Sequence, residues 1–201
     1  MNKNRTGKLF IISGPSGCGK STVIAEVLKR RENLYFSVSY TTRAPRIGEV
    51  DGVSYNFVDK TEFERMIASD ELLEYASYSG NYYGTSAVLI RSKMDAGIDV
   101  LLDIEVVGSK IVHDKLPDTP LIFLAPPSFE ALSQRLHNRG TDSEEVIQTR
   151  LARAREEVKE IPRYDYLVIN DRVETAADEI LAILTSEHCR TAERLDLIDF
   201  S

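Results

Sequence analysis

Short apolar runs alternate along this chain with stretches in which apolar residues recur three and four apart. Lys8 to Ser13 (K-L-F-I-I-S) is a β-rich run closed at once by glycines, the mark of a buried strand. After Ser21, the residues Val23, Ile24, Val27 and Leu28 share one helical face. A glycine loop therefore joins strand to helix, the opening of an α/β fold. Similar runs return at Asp99 to Ile104, Pro120 to Ala125 and Tyr166 to Ile169. They lack polar alternation, as parallel strands covered on both faces do. Helices predicted near 106–116, 128–137 and 174–187 supply the cover, the last through Ile180, Leu181, Ile183 and Leu184.

From about residue 34 to 88 the pattern changes. This stretch is rich in Tyr, Ser, Thr and Gly, with short alternating segments at Tyr35 to Ser39 and Tyr55 to Val58. It reads as a small mixed β insertion on the core. Thr61-Glu62-Phe63-Glu64 reads as a capping box opening a helix within it. A second box, Thr141-Asp142-Ser143-Glu144, opens a polar helix to about Glu160, and the arginine-laden stretch around it reads as a mobile lid. The expected organisation is one domain over 1–201: core about 1–33, 89–127 and 163–188, insertion about 34–88, lid about 128–162, tail 189–201.

Composition narrows the function classes. With 201 residues, 42% hydrophobic and 28% charged, the chain can bury a sizeable core. No apolar run approaches the roughly 18 residues of a membrane span, and Leu9 to Ile12 is too short for a signal peptide. Two cysteines, Cys18 and Cys189, make no disulfide framework, and the three histidines lack metal-ligand spacing. A cytoplasmic protein is expected. The net charge of −7 weighs against nucleic-acid or anionic-membrane partners, so any phosphate chemistry must gather its arginines locally.

The loop itself carries that chemistry. Gly14-Pro15-Ser16-Gly17-Cys18-Gly19-Lys20-Ser21 matches G-x-x-x-x-G-K-[ST], a string expected by chance in about one such chain in a hundred. Glycines let main-chain N–H groups curl around phosphate oxygens, and the helix start adds its dipole. Lys20 reaches the β- and γ-phosphates of a nucleoside triphosphate and Ser21 ligates Mg²⁺. Cys18 needs only to be small.

A second anion site is legible in the insertion. Arg43 and Arg46, separated by Ala44-Pro45, can aim two guanidinium groups at one phosphate, with Glu49 orienting one of them. Tyr55 and Tyr83 offer phenolic donors. Glu74 falls on a predicted strand, and a carboxylate accepts from both N1–H and the N2 amine of guanine while opposing N1 of adenine. Such a buried polar pocket discriminates by factors approaching about 10⁴–10⁵.

Taken together, Gly14 to Thr22, Ser39 to Phe57, Glu74, Ser79 to Thr85, Ala125 to Ser128, Arg135 to Asp142 and Ile169 to Asp171 resemble the guanylate kinase family over about residues 8–187. The resemblance implies a P-loop NTPase-like core with a five-stranded parallel sheet and helices on both faces, a GMP-binding insertion and a helical lid closing over ATP. It implies that Arg43, Arg46, Tyr55 and Tyr83 hold the GMP phosphate and that Ser39, Glu74 and Thr85 read the base. Arg135, Arg139 and Arg150 would meet the ATP phosphates, Thr22 would extend the loop contacts, and Asn170 would lie near the adenine. Where the family shows D-[IL]-D-x-Q-G, this chain has Asp103-Ile104-Glu105-Val106-Val107-Gly108. Asp103 keeps its place, either supporting Mg²⁺ through water or orienting a clamp arginine. Glu105 replaces an aspartate that assists with guanine, and Val107 replaces a glutamine.

The reaction implied is MgATP + GMP (or dGMP) giving ADP and GDP, by a monomer or homodimer with no nucleic-acid or membrane partner. Arg135 and Arg139 lie four apart on one helical face, and Arg153 and Arg155 read as solvated, salt-bridged residues. Two other readings are a non-catalytic interaction module of the same fold, which the intact Lys20 and Ser21 oppose, and a kinase for another monophosphate acceptor.

Overall fold

The structure is a computed structural model that describes residues 6–78, 80–140, 142–195 and 198, with only the main chain described at Tyr78. Along the chain run β1 (Leu9–Ser13), α1 (Lys20–Arg30), β2 (Leu34–Phe36), β3 (Tyr40–Thr41), β4 (Asn56–Phe57), α2 (Lys60–Ala68), β5 (Leu72–Tyr78), β6 (Asn81–Ser86) and α3 (Ala87–Asp95). There follow β7 (Asp99–Asp103), α4 (Val106–Lys115), β8 (Leu121–Ala125), α5 (Phe129–Asn138), α6 (Glu144–Glu157), a 3-10 helix (Val158–Arg163), β9 (Tyr166–Ile169), α7 (Val173–Glu187) and α8 (Thr191–Arg194). Two compact units result: Asn33–Thr119 with the N-terminal segment through Ile11, and Ile12–Glu32 with the chain from Pro120 onward. β1 belongs to both, and its five residues are all buried.

The first unit holds parallel strands in the order β2-β7-β1, with Leu34 opposite Asp99 and Phe36 opposite Leu101. β2 thus extends the parallel sheet, although the Tyr35 to Ser39 segment reads from sequence as part of the insertion. Its Leu34 is buried, which explains why the ladder takes it. The insertion is a mixed sheet in the order β4-β3-β6-β5, parallel between β3 and β4 and antiparallel elsewhere. A small core of its own, Phe63, Met66 and Leu72, is packed by Tyr40, Val58, Ile67 and Tyr82, with Phe63 stacked on Tyr82 at 5.2 Å. Helix α2 is capped by Asp59, which accepts from the Glu62 amide at 2.8 Å, rather than by the predicted Thr61. The N-cap with its glutamate three residues on starts two residues earlier than expected. Helix α3 was not foreseen: it exposes Val88 and buries Ala87 and Ile90 of its nine residues, so its apolar stripe is weak, and Ser86 caps it.

In the second unit the order is β1-β8-β9, with β8 and β9 parallel from Ile122 opposite Tyr166 to Ala125 opposite Ile169. Helix α7 packs on α1. Ser128 caps α5 by accepting from the Ala131 amide at 3.0 Å. Leu132, Leu136, Ile147, Leu151 and Ala154 form a core between α5 and α6, so the predicted lid is a helical pair with its own packing. The cap of α6 is Ser143, without a side-chain bond; Thr141 of the predicted box lies outside the described residues. α6 ends at Glu157 and tightens into the 3-10 turn that contains Pro162, a residue that cannot donate in a helix interior. In the tail, Arg194 Nε donates to the His188 carbonyl at 3.0 Å, and Leu195 and Ile198 are exposed. Leu197 and Phe200 lie outside the described residues. Both cysteines are free thiols. Among the described residues no helix is long and apolar enough to cross a membrane.

Candidate active site

The glycine loop lies between β1 and α1, as its spacing predicts. Cys18 N–H donates to the Pro15 carbonyl at 3.1 Å, and Lys20 Nζ donates to the Gly14 carbonyl at 2.7 Å. The lysine is therefore folded along its own loop. Gly19, the N-cap of α1, has φ 97° and gives no side-chain cap. A methyl on it would stand 2.4 Å from Asn170 Nδ2, so both the backbone angle and the close approach require glycine. Asn170 is buried; its Nδ2 donates to the Cys18 carbonyl at 2.7 Å, and its Oδ1 has no hydrogen-bond partner among the described residues.

The three arginines that the resemblance assigns to the ATP phosphates fare differently. Arg135 donates to the carbonyls of Cys18 (3.1 Å) and Asn170 (2.8 Å), which fixes it against the loop. Arg150 reaches the loop from α6, donating to Ser16 Oγ at 3.3 Å, with Asp142 beside it at 3.3 Å. Arg139, at the end of α5, is exposed and makes no ion pair among the described residues. Arg153 pairs with Glu157 at 2.9 Å, as expected. Arg155 instead lies over the Phe129 ring at 5.6 Å. Asp142 received no role from the sequence, though it stands in the R-G-T-D string; only the turn before α6 brings it to Arg150.

The residues that the resemblance assigns to the acceptor fall in the first unit as two groups. Arg43 donates to Glu49 Oε1 at 2.8 Å and to the Ala44 carbonyl at 2.7 Å. Its guanidinium lies 5.4 Å from the centre of the Tyr55 ring, which meets Tyr83 edge-on at 5.9 Å. Glu49 also accepts from the Arg46 amide at 2.7 Å, so it joins both arginines, although the Arg46 residue itself is exposed. The Arg43 bond, with the Arg46 amide behind it, pulls the Glu49 carboxyl below its usual range. Burial pushes the Tyr55 phenol up, and the negative charges of Asp103 and Glu49 add to this against the pull of Arg43. Tyr55 therefore stays a neutral donor. Asp103 is half-buried at the end of β7.

The second group is Glu74, Thr85 and Glu105. Glu74 is buried, and Thr85 donates its hydroxyl to Oε1 at 2.6 Å. Burial raises the Glu74 pKa and the Glu105 charge raises it further, while the Thr85 bond and the Lys115 charge lower it. A methyl on Gly108 would lie 3.3 Å from Oε2, so the first turn of α4 closes on this carboxylate. Ser39 is half-buried and accepts the Asn56 amide at its carbonyl, 2.9 Å away.

The guanylate kinase family model matches residues 6–187. A guanylate kinase of Halalkalibacterium halodurans is 50% identical over 195 residues, covering 97% of this chain and 95% of that one. The chain belongs to the guanylate kinase family. A guanylate kinase of Lactococcus lactis subsp. lactis is 50% identical over 184 residues, covering 92% of this chain and 90% of its own. Among solved structures, the guanylate kinase from Anaplasma phagocytophilum superposes with a TM-score of 0.76 at 34% identity, covering 94% of this chain and 90% of that one. Against the family pattern, Glu105 keeps a carboxylate that acts on Glu74. Val107, standing where a glutamine is usual, turns outward and is 63% exposed.

Proposed function

We infer that this guanylate kinase homologue transfers the γ-phosphoryl group of ATP to GMP, giving ADP and GDP, with dGMP as a second acceptor. The observation that carries the acceptor is Glu74: a buried carboxylate bonded by one neutral hydroxyl, in the unit that also holds the arginine–tyrosine clamp. Guanine supplies two adjacent donors for such a group, and adenine opposes it with an acceptor. Thr85, Ser39 and Glu105 complete base recognition. Arg43 and Arg46, oriented by Glu49, hold the GMP phosphate with Tyr55 and Tyr83, and Asp103 orients the clamp.

On the donor side, residues 14–19 with Lys20, Ser21 and Thr22 cradle the triphosphate. Asn170 Oδ1, buried and without a hydrogen-bond partner among the described residues, suits the adenine amine. Arg135, Arg139 and Arg150 serve the phosphates in flight, and Arg150 already meets the loop at Ser16. Mg²⁺ fits here as a passenger of ATP. Among the described residues no cluster of His, Cys, Asp or Glu could hold a metal alone, whereas the Ser21 residue is exposed, as an ion held chiefly by phosphates and water needs. Held by Ser21 with the nucleotide, Mg²⁺ would supply neutralisation of phosphate charge.

The transfer needs no strong base, because a GMP phosphate oxygen is already anionic near neutrality. That oxygen forms the new bond to the γ-phosphorus as the bond to the bridging oxygen breaks, and the electron pair leaves with ADP. Lys20 and the arginines stabilise the charge that spreads over the moving group. Lid residues about 128–162 exclude water, which would otherwise accept the phosphoryl group. Absence of a general base thus accounts for a site made of Gly, Lys, Arg and Tyr. We place the activity in the cytoplasm, in a monomer or homodimer acting on small molecules, without nucleic-acid or membrane partners.

An acceptor screen with ATP and Mg²⁺ tests the reading. ADP formation should follow GMP, with kcat/KM for AMP lower by a factor of at least about 10². A preference for AMP overturns the role of Glu74. No turnover at millimolar substrates would instead make the chain an interaction module.

A further inference from the structure

β5 and β6 pair antiparallel, but their register shifts between Leu72 and Glu74: Leu72 stands opposite Ser86 and Glu74 opposite Thr85. Leu73 is the extra residue. A bulge of this kind re-aims the neighbouring side chain and takes the extra residue's main-chain groups out of the ladder. The Leu73 carbonyl is engaged from outside the sheet, by Lys115 Nζ at 2.5 Å. Lys115 is the last residue of α4, the same helix that brings Glu105 and Gly108 to Glu74 at its start. One helix therefore holds the strand at the carboxylate and at the carbonyl just before it.

We propose that Lys115 is a positioning residue for acceptor recognition: by holding the bulged Leu73 carbonyl and setting its cation near Glu74, it fixes the aim and the charge of the carboxylate that reads guanine. The inference rests on the assignment of Glu74 above. The groups acting on that carboxylate are Thr85 from β6 and Lys115 and Glu105 from α4. Helix α3, also packed on β5, carries Arg91, Lys93 and Asp95, none of which acts on it. Without Lys115, Glu74 would lose the cation that lowers its pKa, while burial and the Glu105 charge would still raise it. Glu74 would hold its proton to higher pH and present a donor where guanine N1–H needs an acceptor. A lysine stem long enough to reach a strand carbonyl explains why a residue at the far end of α4 serves a pocket at its beginning.

Lys115→Met keeps the stem and removes the charge. KM for GMP should rise about tenfold, the usual weight of one charge-assisted bond, with kcat and KM for ATP unchanged. The acid limb of kcat/KM for GMP should move to higher pH, and Lys115→Arg should recover most of both effects. A wild-type KM for GMP in Lys115→Met overturns the proposal. So does a loss shared equally by both substrates with the acid limb unmoved, which would mark a purely structural lysine. Glu74→Gln separates the two levels. If it keeps the preference for GMP over AMP, the reading of Glu74 fails and this inference with it. If it loses the preference while Lys115→Met is silent, only Lys115 is wrong.

Discussion

The glycine loop and the Arg43–Glu74 region, proposed above as donor and acceptor sites, are built from different materials. Around the loop, side chains bond chiefly to main-chain carbonyls, Lys20 to Gly14, Arg135 to Cys18 and Asn170, and Asn170 to Cys18, with Arg150 to Ser16 Oγ the exception. In the pocket, main-chain bonds such as Arg43 to the Ala44 carbonyl are joined by bonds between side chains of chosen chemistry, Arg43 to Glu49 and Thr85 to Glu74. A triphosphate is the same for every nucleotide, so main-chain amides with a lysine can hold it without reading a base. A base must be told from its rivals, and only side chains of chosen chemistry can do that. The loop should therefore fail through geometry and the pocket through chemistry.

The sharpest break in the comparison is Lys20→Met. It removes the loop's one cation and should lower kcat by about 10³-fold, the scale of losing a charge-stabilising donor in the transition state. GMP binding, built in the other unit, should change little. Steady-state kinetics beside equilibrium GMP binding reads both, and an unchanged kcat would take Lys20 out of the mechanism.

Next comes Gly19→Ala, which tests geometry alone. The methyl meets Asn170 Nδ2 at 2.4 Å on a backbone at φ 97°, and kcat/KM for ATP should fall about 10²-fold, the scale of a misplacement near 1 Å. Asn170→Ala in the same background removes the collision but leaves the backbone strain, so rescue should be partial. The double-mutant cycle should show a coupling of about 0.5–3 kcal/mol. Strict additivity would mean that Asn170 does not press on the loop.

These differences also explain what could be read in advance. Loop residues 14–21 announce themselves because consecutive main-chain amides demand fixed residue types at fixed spacing. The parallel strands were legible because burial on both faces leaves unbroken apolar runs, as in Phe10, Ile11 and Ile12. Arg43, Arg46 and Glu49 share one loop, so proximity along the chain exposed them. Ser39 and Thr85 carried no signal apart from the family resemblance. Asp142 beside Arg150 depends on how the chain enters α6, and Lys115 on a register shift that leaves no mark in composition. Helix α2 is legible in the sequence but its cap is ambiguous there, because Asp59 and Thr61 both precede a glutamate at the capping-box spacing.

Glu74→Gln probes the pocket through stability. Burial raises the Glu74 pKa above the ordinary 4.5. Such a carboxyl stabilises the fold fully below about 4.5 and loses that contribution as pH rises through its folded-state value. Glutamine stays neutral throughout. The variant should therefore have a higher Tm than the wild type at pH 7, a difference that closes as the pH falls below 4.5. Equal Tm values across that range would mean that the carboxylate costs the empty pocket nothing.

The smallest effect belongs to the contact between α5 and α6. His137 Nδ1 lies 2.7 Å from the Ser133 carbonyl and Nε2 lies 2.9 Å from Glu144 Oε2. Both partners are acceptors, and only the imidazolium has a proton for each. The Ser133 carbonyl first, and the Glu144 carboxylate next, raise the His137 pKa above 6.5. The stabilisation is then complete below 6.5 and lost as pH rises through the raised value. His137→Gln should lower Tm at pH 6 and not at pH 9. Because the pair is exposed, with about 45% and 63% of each side chain accessible, the deficit should shrink in about 1 M salt, where charges are screened beyond roughly 3 Å. A deficit equal at both pH values would show that the ring serves α5 by its shape and not by its proton.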